Sequence, residues 1–116
     1  MRHSYSRALP RAWQRTAQVF TALGDPHRQH IVLMFETDER LSVGQIVGAS
    51  PLSRSAVAHH LRVMREAGVV SCEKVGKQVF YRPEPDRVRA ALSSVREYLD
   101  AEFPARPTAS RAKART

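Results

Sequence analysis

Residues 42–82 run SVGQIVGASPLSRSAVAHHLRVMREAGVVSCEKVGKQVFYR, and the punctuation of this stretch decides the fold. Ser42-Val43-Gly44-Gln45 has the form of a capping box: the Ser hydroxyl accepts from the third backbone N–H, and the Gln side chain reaches back. It opens a short helix carrying Val43, Ile46 and Val47. Ser50-Pro51 breaks that helix, because a residue preceding proline avoids the helical region. Ser53 then caps a longer helix, about Arg54 to Ala67, with Val57, Leu61 and Met64 as its apolar spine. Gly68 is placed to end it in a left-handed conformation. Two short strands follow, Val69–Val75 and Gln78–Arg82, joined by Gly76-Lys77. A two-residue loop with glycine first signals a type II′ hairpin, and Pro83 stops the second strand.

Working outward, a first helix is expected from about Arg11 to Leu23, with Trp13, Ala17 and Phe20 recurring at i, i+4, i+7. Asp25-Pro26 starts the next, as an N-cap carboxylate followed by proline at the first helical position. That helix carries Ile31, Met34 and Phe35 inward and fades in the polar stretch Glu36 to Arg40. A last helix begins near Pro85-Asp86 and carries Val88, Leu92, Val95 and Leu99, a heptad-like seam. The expected order is therefore helix, helix, short helix, helix, hairpin, helix. Two helices joined by a short break and followed by a hairpin make a winged helix-turn-helix, mainly α with a small β-hairpin. In that arrangement the second helix of the pair fits the DNA major groove and the hairpin reaches the neighbouring backbone.

The chain is 116 residues long, the size of one ordinary domain. Its composition, 42% hydrophobic and 26% charged, is that of a globular protein. The start, Met1 to Trp13, has arginines but no apolar run, so a signal peptide is not expected. One cysteine, Cys72, excludes an intrachain disulfide and every paired-cysteine metal spacing, and fits a reducing cytoplasm. The formal net charge of +8 is unevenly placed. Residues 1–15 hold Arg2, Arg7, Arg11 and Arg15 without an acid, and residues 104–116 hold Arg106, Arg111, Lys113 and Arg115 without one. We therefore divide the chain into a basic arm (1–10), a DNA-binding and dimerisation domain (11–103) and a basic disordered tail (104–116). Within residues 53–82 six cations face two acids, Glu66 and Glu73. Basic arms around a basic centre suit an anionic partner, nucleic acid foremost.

On a wheel of ~100° per residue, Val57, Leu61 and Met64 fall on one side of the longer helix and Ser55, His59, Arg62 and Glu66 on the other. Hydroxyl, imidazole and guanidinium donate to base edges and phosphates, and Arg is the commonest reader of guanine. Glu66 repels phosphate and serves no reading role. Ser53 and Arg54, at the helix start, and Lys74 and Lys77, on the hairpin, are the phosphate candidates. His59 and His60 point about 100° apart and make no two-histidine clamp, and His60 flanks the apolar side. His27 and His30, at i, i+3, lack a third ligand. Cys72 alternates with Val70 and reads as a small, buried, inert thiol, with Lys74 as the cation nearest to it in sequence. Trp13 and Phe20 with Val88, Leu92, Val95 and Leu99 exceed what one small core uses, and are expected to form a dimer seam of the first and last helices. No glycine-rich phosphate loop or nucleophile elbow is present, so neither an enzyme nor a cofactor is expected.

Four segments carry a resemblance in order: Ala22-Leu23-Gly24-Asp25-Pro26-His27-Arg28, Leu41 to Ile46, Leu52 to Val70, and Gly76 to Arg82. Over roughly residues 16–100 the chain resembles the ArsR (SmtB/ArsR) family of bacterial winged-helix repressors. The resemblance implies a homodimer built from the first and last helices, bound to an inverted-repeat operator, that represses its own operon and releases DNA when an effector binds. The departures are as informative. Where the family's arsenic-type site has Cys-x-Cys, this chain has Ser42 and Gly44. Where its zinc-type site has histidines on the last helix, this chain has Asp86, Glu97 and Asp100 without one. Zinc favours imidazole and thiolate, so no metal site is expected. Ala56 and Ala58 stand at common Ser or Thr positions of the recognition helix, removing hydrogen bonds that relatives make to DNA. Two other readings stay open. A winged-helix protein–protein adaptor or antitoxin-like module would expose apolar groups on the outward stripe. A redox sensor would work through Cys72.

Overall fold

The structure, a computed structural model, describes residues 8–106. Three of the helices begin on a side chain that accepts from their unpaired backbone N–H groups. α1 (Arg11–Leu23) leads into Gly24, and the Asp25 carboxylate then accepts from the His27 and Arg28 N–H groups at 2.8 and 3.3 Å to open α2 (Pro26–Met34). Burial pushes the Asp25 carboxyl up, but these two donors and the nearby Arg28 charge outweigh it and hold it below its ordinary value. The Ser42 capping box forms in full around α3 (Val43–Gly48), and the Ser53 hydroxyl accepts from Ala56 N–H to start α4 (Arg54–Glu66). At the far end of α4, Gly68 N–H reaches Arg65 O and Val69 N–H reaches Met64 O, both at 3.0 Å. This is a Schellman closure, with Gly68 at φ +78°.

The hairpin is β2 (Val70–Val75) and β3 (Gln78–Pro83), in register Cys72↔Tyr81, Lys74↔Val79 and Val75↔Gln78. Gly76 has φ +61° while Lys77 keeps a negative φ, as a type II′ turn requires. A two-residue strand, β1 (Leu41–Ser42), adds to the other side of β3 through Leu41↔Tyr81 and Ser42↔Phe80, giving the order β1-β3-β2. So short a strand leaves no sequence period, and the sequence reading lacked it. α5 (Pro85–Glu102) then returns along α1.

The core is made where α1–α4 and the sheet converge: Val19, Ile31, Ile46, Val57, Leu61, Met64 and Val70 are all fully buried. Each such side chain contributes about 1.5–3 kcal/mol of burial. The inward face of α1 is Thr16, Val19 and Ala22, not the stripe Trp13, Ala17 and Phe20 that the sequence singles out. The aromatic stripe is the more visible period because its side chains are larger, yet small residues are what let α1 approach its neighbours. Similarly, the fully buried residue of α5 is Ala91, with Val88 packed against the core beside it. Most of the arm and tail expected at 1–10 and 104–116 lies outside the described residues.

Candidate nucleic-acid interface

The apolar spine of α4 fixes the direction of everything else on that helix. With Val57, Leu61 and Met64 fully buried, Ser55, His59 and Arg62 stand exposed on the opposite side, and Glu66 with them. Ser53 is occupied by the helix start: its hydroxyl serves Ala56 N–H and lies 3.2 Å from Ser55 Oγ. Arg54 points away from the stripe and meets the hairpin. It lines, with Ser42, Val43, Gly44, Lys77, Gln78 and Val79, one open cleft of about 340 Å³. The structure thus brings Arg54 and Lys77, 23 positions apart in sequence, to a common cleft. Lys74 is exposed on β2, opposite Val79.

At the hairpin base, Glu73 accepts from Arg40 at 2.8 Å and from Arg82 at 3.3 Å, and these donors hold its carboxyl below the usual range. Arg40 also lies 4.3 Å over the Phe80 ring. One acid and two arginines therefore brace the wing against the loop before β1, and part of the basic charge counted in the sequence is engaged there.

Behind the exposed face, Arg28 ties α2 to α1 and α4. It donates from Nε to the Ala22 carbonyl at 2.7 Å and from Nη2 to the Thr21 carbonyl at 3.1 Å, while Nη1 lies 3.1 Å from His60 Nδ1. His60 is half-buried, as expected from its place beside the apolar side. Its ring neighbours are His59 (5.6 Å) and His27 (5.9 Å). His30 does not join them, so the histidine pair suggested by i, i+3 spacing is replaced by His27–His60 across two helices. No group of three metal-ligating side chains occurs among the described residues. Nothing local marks the Arg28 link, since its three acceptors lie 6, 7 and 32 positions away.

Cys72 differs from expectation. It is half-buried at the edge of the core, not fully buried, and its neighbour is Arg65, whose Nη1 lies 3.5 Å from Sγ, not Lys74. Cys72 pairs with Tyr81 in the hairpin, and Arg65 from the last turn of α4 reaches its sulfur.

The residues expected at a dimer seam divide. Trp13 is half-buried, edge-on to Tyr98 at 5.6 Å. Val88 and Val95 are half-buried, whereas Phe20, Leu92 and Leu99 keep 41%, 54% and 47% of their surface exposed. Tyr98 and Phe103 extend the same apolar surface.

A polar helix face carried on a buried spine, with a braced β-hairpin beside it, defines a winged helix-turn-helix DNA-binding protein. Residues 25–71 match the model of the bacterial regulatory protein arsR family. An uncharacterised HTH-type transcriptional regulator of Methanocaldococcus jannaschii is 29% identical over 85 residues, 73% of this chain and 96% of that one. A Synechocystis protein described as a transcriptional repressor and SmtB homolog is 33% identical over 86 residues, 74% of this chain and 64% of that one. The chain thus spans just under two thirds of that repressor. The solved structure of an ArsR-like transcriptional regulator from Rhodococcus sp. RHA1 superposes with a TM-score of 0.70 at 28% identity, over 79% of this chain and 85% of that one. The chain is thus similar in sequence to the ArsR family of bacterial regulatory proteins and shares the winged helix-turn-helix fold of a solved ArsR-like regulator.

Proposed function

We propose that the chain is a dimeric repressor of its own operon, working in the cytoplasm without a metal, a cofactor or catalysis. Ser55, His59 and Arg62 read base edges, and Arg54, Lys74 and Lys77 contact phosphates of an inverted-repeat operator. The observation that carries this reading is the outer face of α4, where three hydrogen-bonding side chains are exposed directly opposite a fully buried spine. A protein-docking module would present apolar groups there. The partly exposed seam of Phe20, Leu92 and Leu99 supports self-association through α1 and α5. The name of the Synechocystis relative supports repression. Metal independence rests on Ser42 and Gly44, which supply no thiolate. The test is selection of duplexes from a random pool by the full chain. Enrichment of an inverted repeat, lost in His59→Ala and Arg62→Ala, is the expected result. A pool that shows no consensus removes the reading.

The partial exposure of Cys72 beside the Arg65 guanidinium favours a second reading, in which the thiol senses an oxidant. Loss of binding to the selected duplex on mild oxidation, prevented by Cys72→Ser, is its signature.

A further inference from the structure

A guanidinium has donors and no acceptor. Because Arg28 Nη1 lies 3.1 Å from His60 Nδ1, that nitrogen must accept, the ring must be neutral, and its proton must sit on Nε2. The same guanidinium donates to the Ala22 carbonyl at the end of α1, where a helix leaves acceptors unpaired, and to the Thr21 carbonyl, which also accepts from Gly24 N–H. Arg28 therefore fixes α4 relative to α1 at a point one residue from the exposed His59.

A proton on Nδ1 would set donor against donor at this contact. The surrounding charges are few and named. From the Asp25–α2 segment come the Asp25 carboxylate, Arg28 and the His27 ring; from α4 comes His59; α1 contributes the Thr21 and Ala22 carbonyls. Burial lowers the His60 pKa most, Asp25 opposes it, and Arg28, His59 and His27 add to it.

We propose that Arg28 is a positioning residue for the recognition helix, acting through the neutral His60 ring, and that a proton on this ring unseats the helix and weakens sequence-specific DNA binding. The proposal rests on α4 being the helix that reads DNA. Acid raises the positive charge of the whole chain and so strengthens binding to any duplex, and the measured quantity is therefore the ratio of affinities for a selected and a scrambled duplex.

The full chain is titrated by fluorescence anisotropy against both duplexes, the selected one taken from a random pool at about pH 8, and the ratio is followed to about pH 5.5, the histidine range. The expected ratio falls by about fivefold or more, since each unit of differential pKa is tenfold. His60→Asn keeps an acceptor near the Nδ1 position without titrating, and its ratio stays flat within about twofold. Arg28→Lys keeps the charge but not the three-way fork, and lowers the ratio already at about pH 8. Nitrogen-15 spectra of the imidazoles, which need no DNA, report the contact itself. His60 is expected as the Nε2–H tautomer, with a titration midpoint that moves up in Arg28→Lys. An Nδ1–H tautomer, or a midpoint unmoved by Arg28→Lys, overturns the contact. A normal contact with equal falls in the wild type and His60→Asn overturns its coupling to DNA. Absence of any preference for the selected duplex at every pH removes the DNA reading of α4, and the coupling with it, while the spectra still decide the contact.

Discussion

The α2–α4 unit and the α1/α5 layer meet water in opposite ways. In the first, large side chains are spent inward: Ile31, Ile46, Leu61 and Met64 are fully buried, and the outer face of α4 is left to Ser55, His59 and Arg62, with Leu33 on α2 the large apolar side chain turned to solvent. In the second, smaller residues face inward, namely Thr16, Val19, Ala22 and Ala91, and larger ones face out, namely Phe20, Leu92 and Leu99. A protomer gains little from the outward apolar groups of α1 and α5, since burial in a core is what makes such groups stabilising. The two regions are suited to different partners, a polar one and a second apolar surface.

The sharpest way to break this comparison is to compare truncations. Leu61→Ala empties a closed core and should lower folding stability by about 2–5 kcal/mol in chemical denaturation. Leu92→Ala, at an exposed position, should leave the protomer's stability within about 0.5 kcal/mol when measured at concentrations too low for self-association. Equal losses would mean that both layers belong to one core. Leu92→Glu should instead act on association, weakening it by at least about 1.5–3 kcal/mol in sedimentation, the worth of one lost leucine burial. On the other face, His59→Ala and Arg62→Ala should each cost about 1–3 kcal/mol on the selected duplex, less on a scrambled one, with unfolding unchanged. Lys77→Ala should flatten the dependence of log K on log salt by about 0.9 per lost phosphate contact, without altering preference.

The smallest expected effect is on stability against pH. His60 has its folded pKa lowered below the ordinary 6.5 by burial, so the unfolded chain takes up the proton more readily. Its contribution is complete above about pH 6.5 and is lost as pH falls through the window between that value and the lower folded one. His60→Asn should remove that part of the slope in thermal melts. A steeper loss of stability in His60→Asn would contradict the sign.

Much of this was legible in the chain. Asp25, Ser42, Ser53 and Gly68 each announce a helix boundary through one local hydrogen bond or one dihedral, and each does in the structure what its type requires. The stripe Val57, Leu61, Met64 was equally plain, because a long amphipathic helix repeats its message. What escaped depends on contacts between distant segments. The pairing of Leu41 with Tyr81, the Glu73 brace and the Arg28–His60 link leave no period in sequence. The inward face of α1 was misread because bulk dominates a hydrophobic pattern while close helix approach selects for small residues. Cys72 was misplaced because strand alternation says which side a residue takes, not whether a helix covers that side fully.

Ser42 ends β1 and caps α3 at once: it sits opposite Phe80 in the sheet, and its hydroxyl holds Gln45 N–H at 3.1 Å. No linker separates the strand that anchors the wing from the helix that precedes the reading helix. Hinge residues are what let two parts of a molecule change their spacing, and between β1 and α3 there is none to turn. On the proposed reading, α4 and the wing tip approach a duplex like the jaws of a caliper locked at one setting. The adjustment then falls on the DNA, whose stiffness varies with base sequence even at positions that no side chain touches.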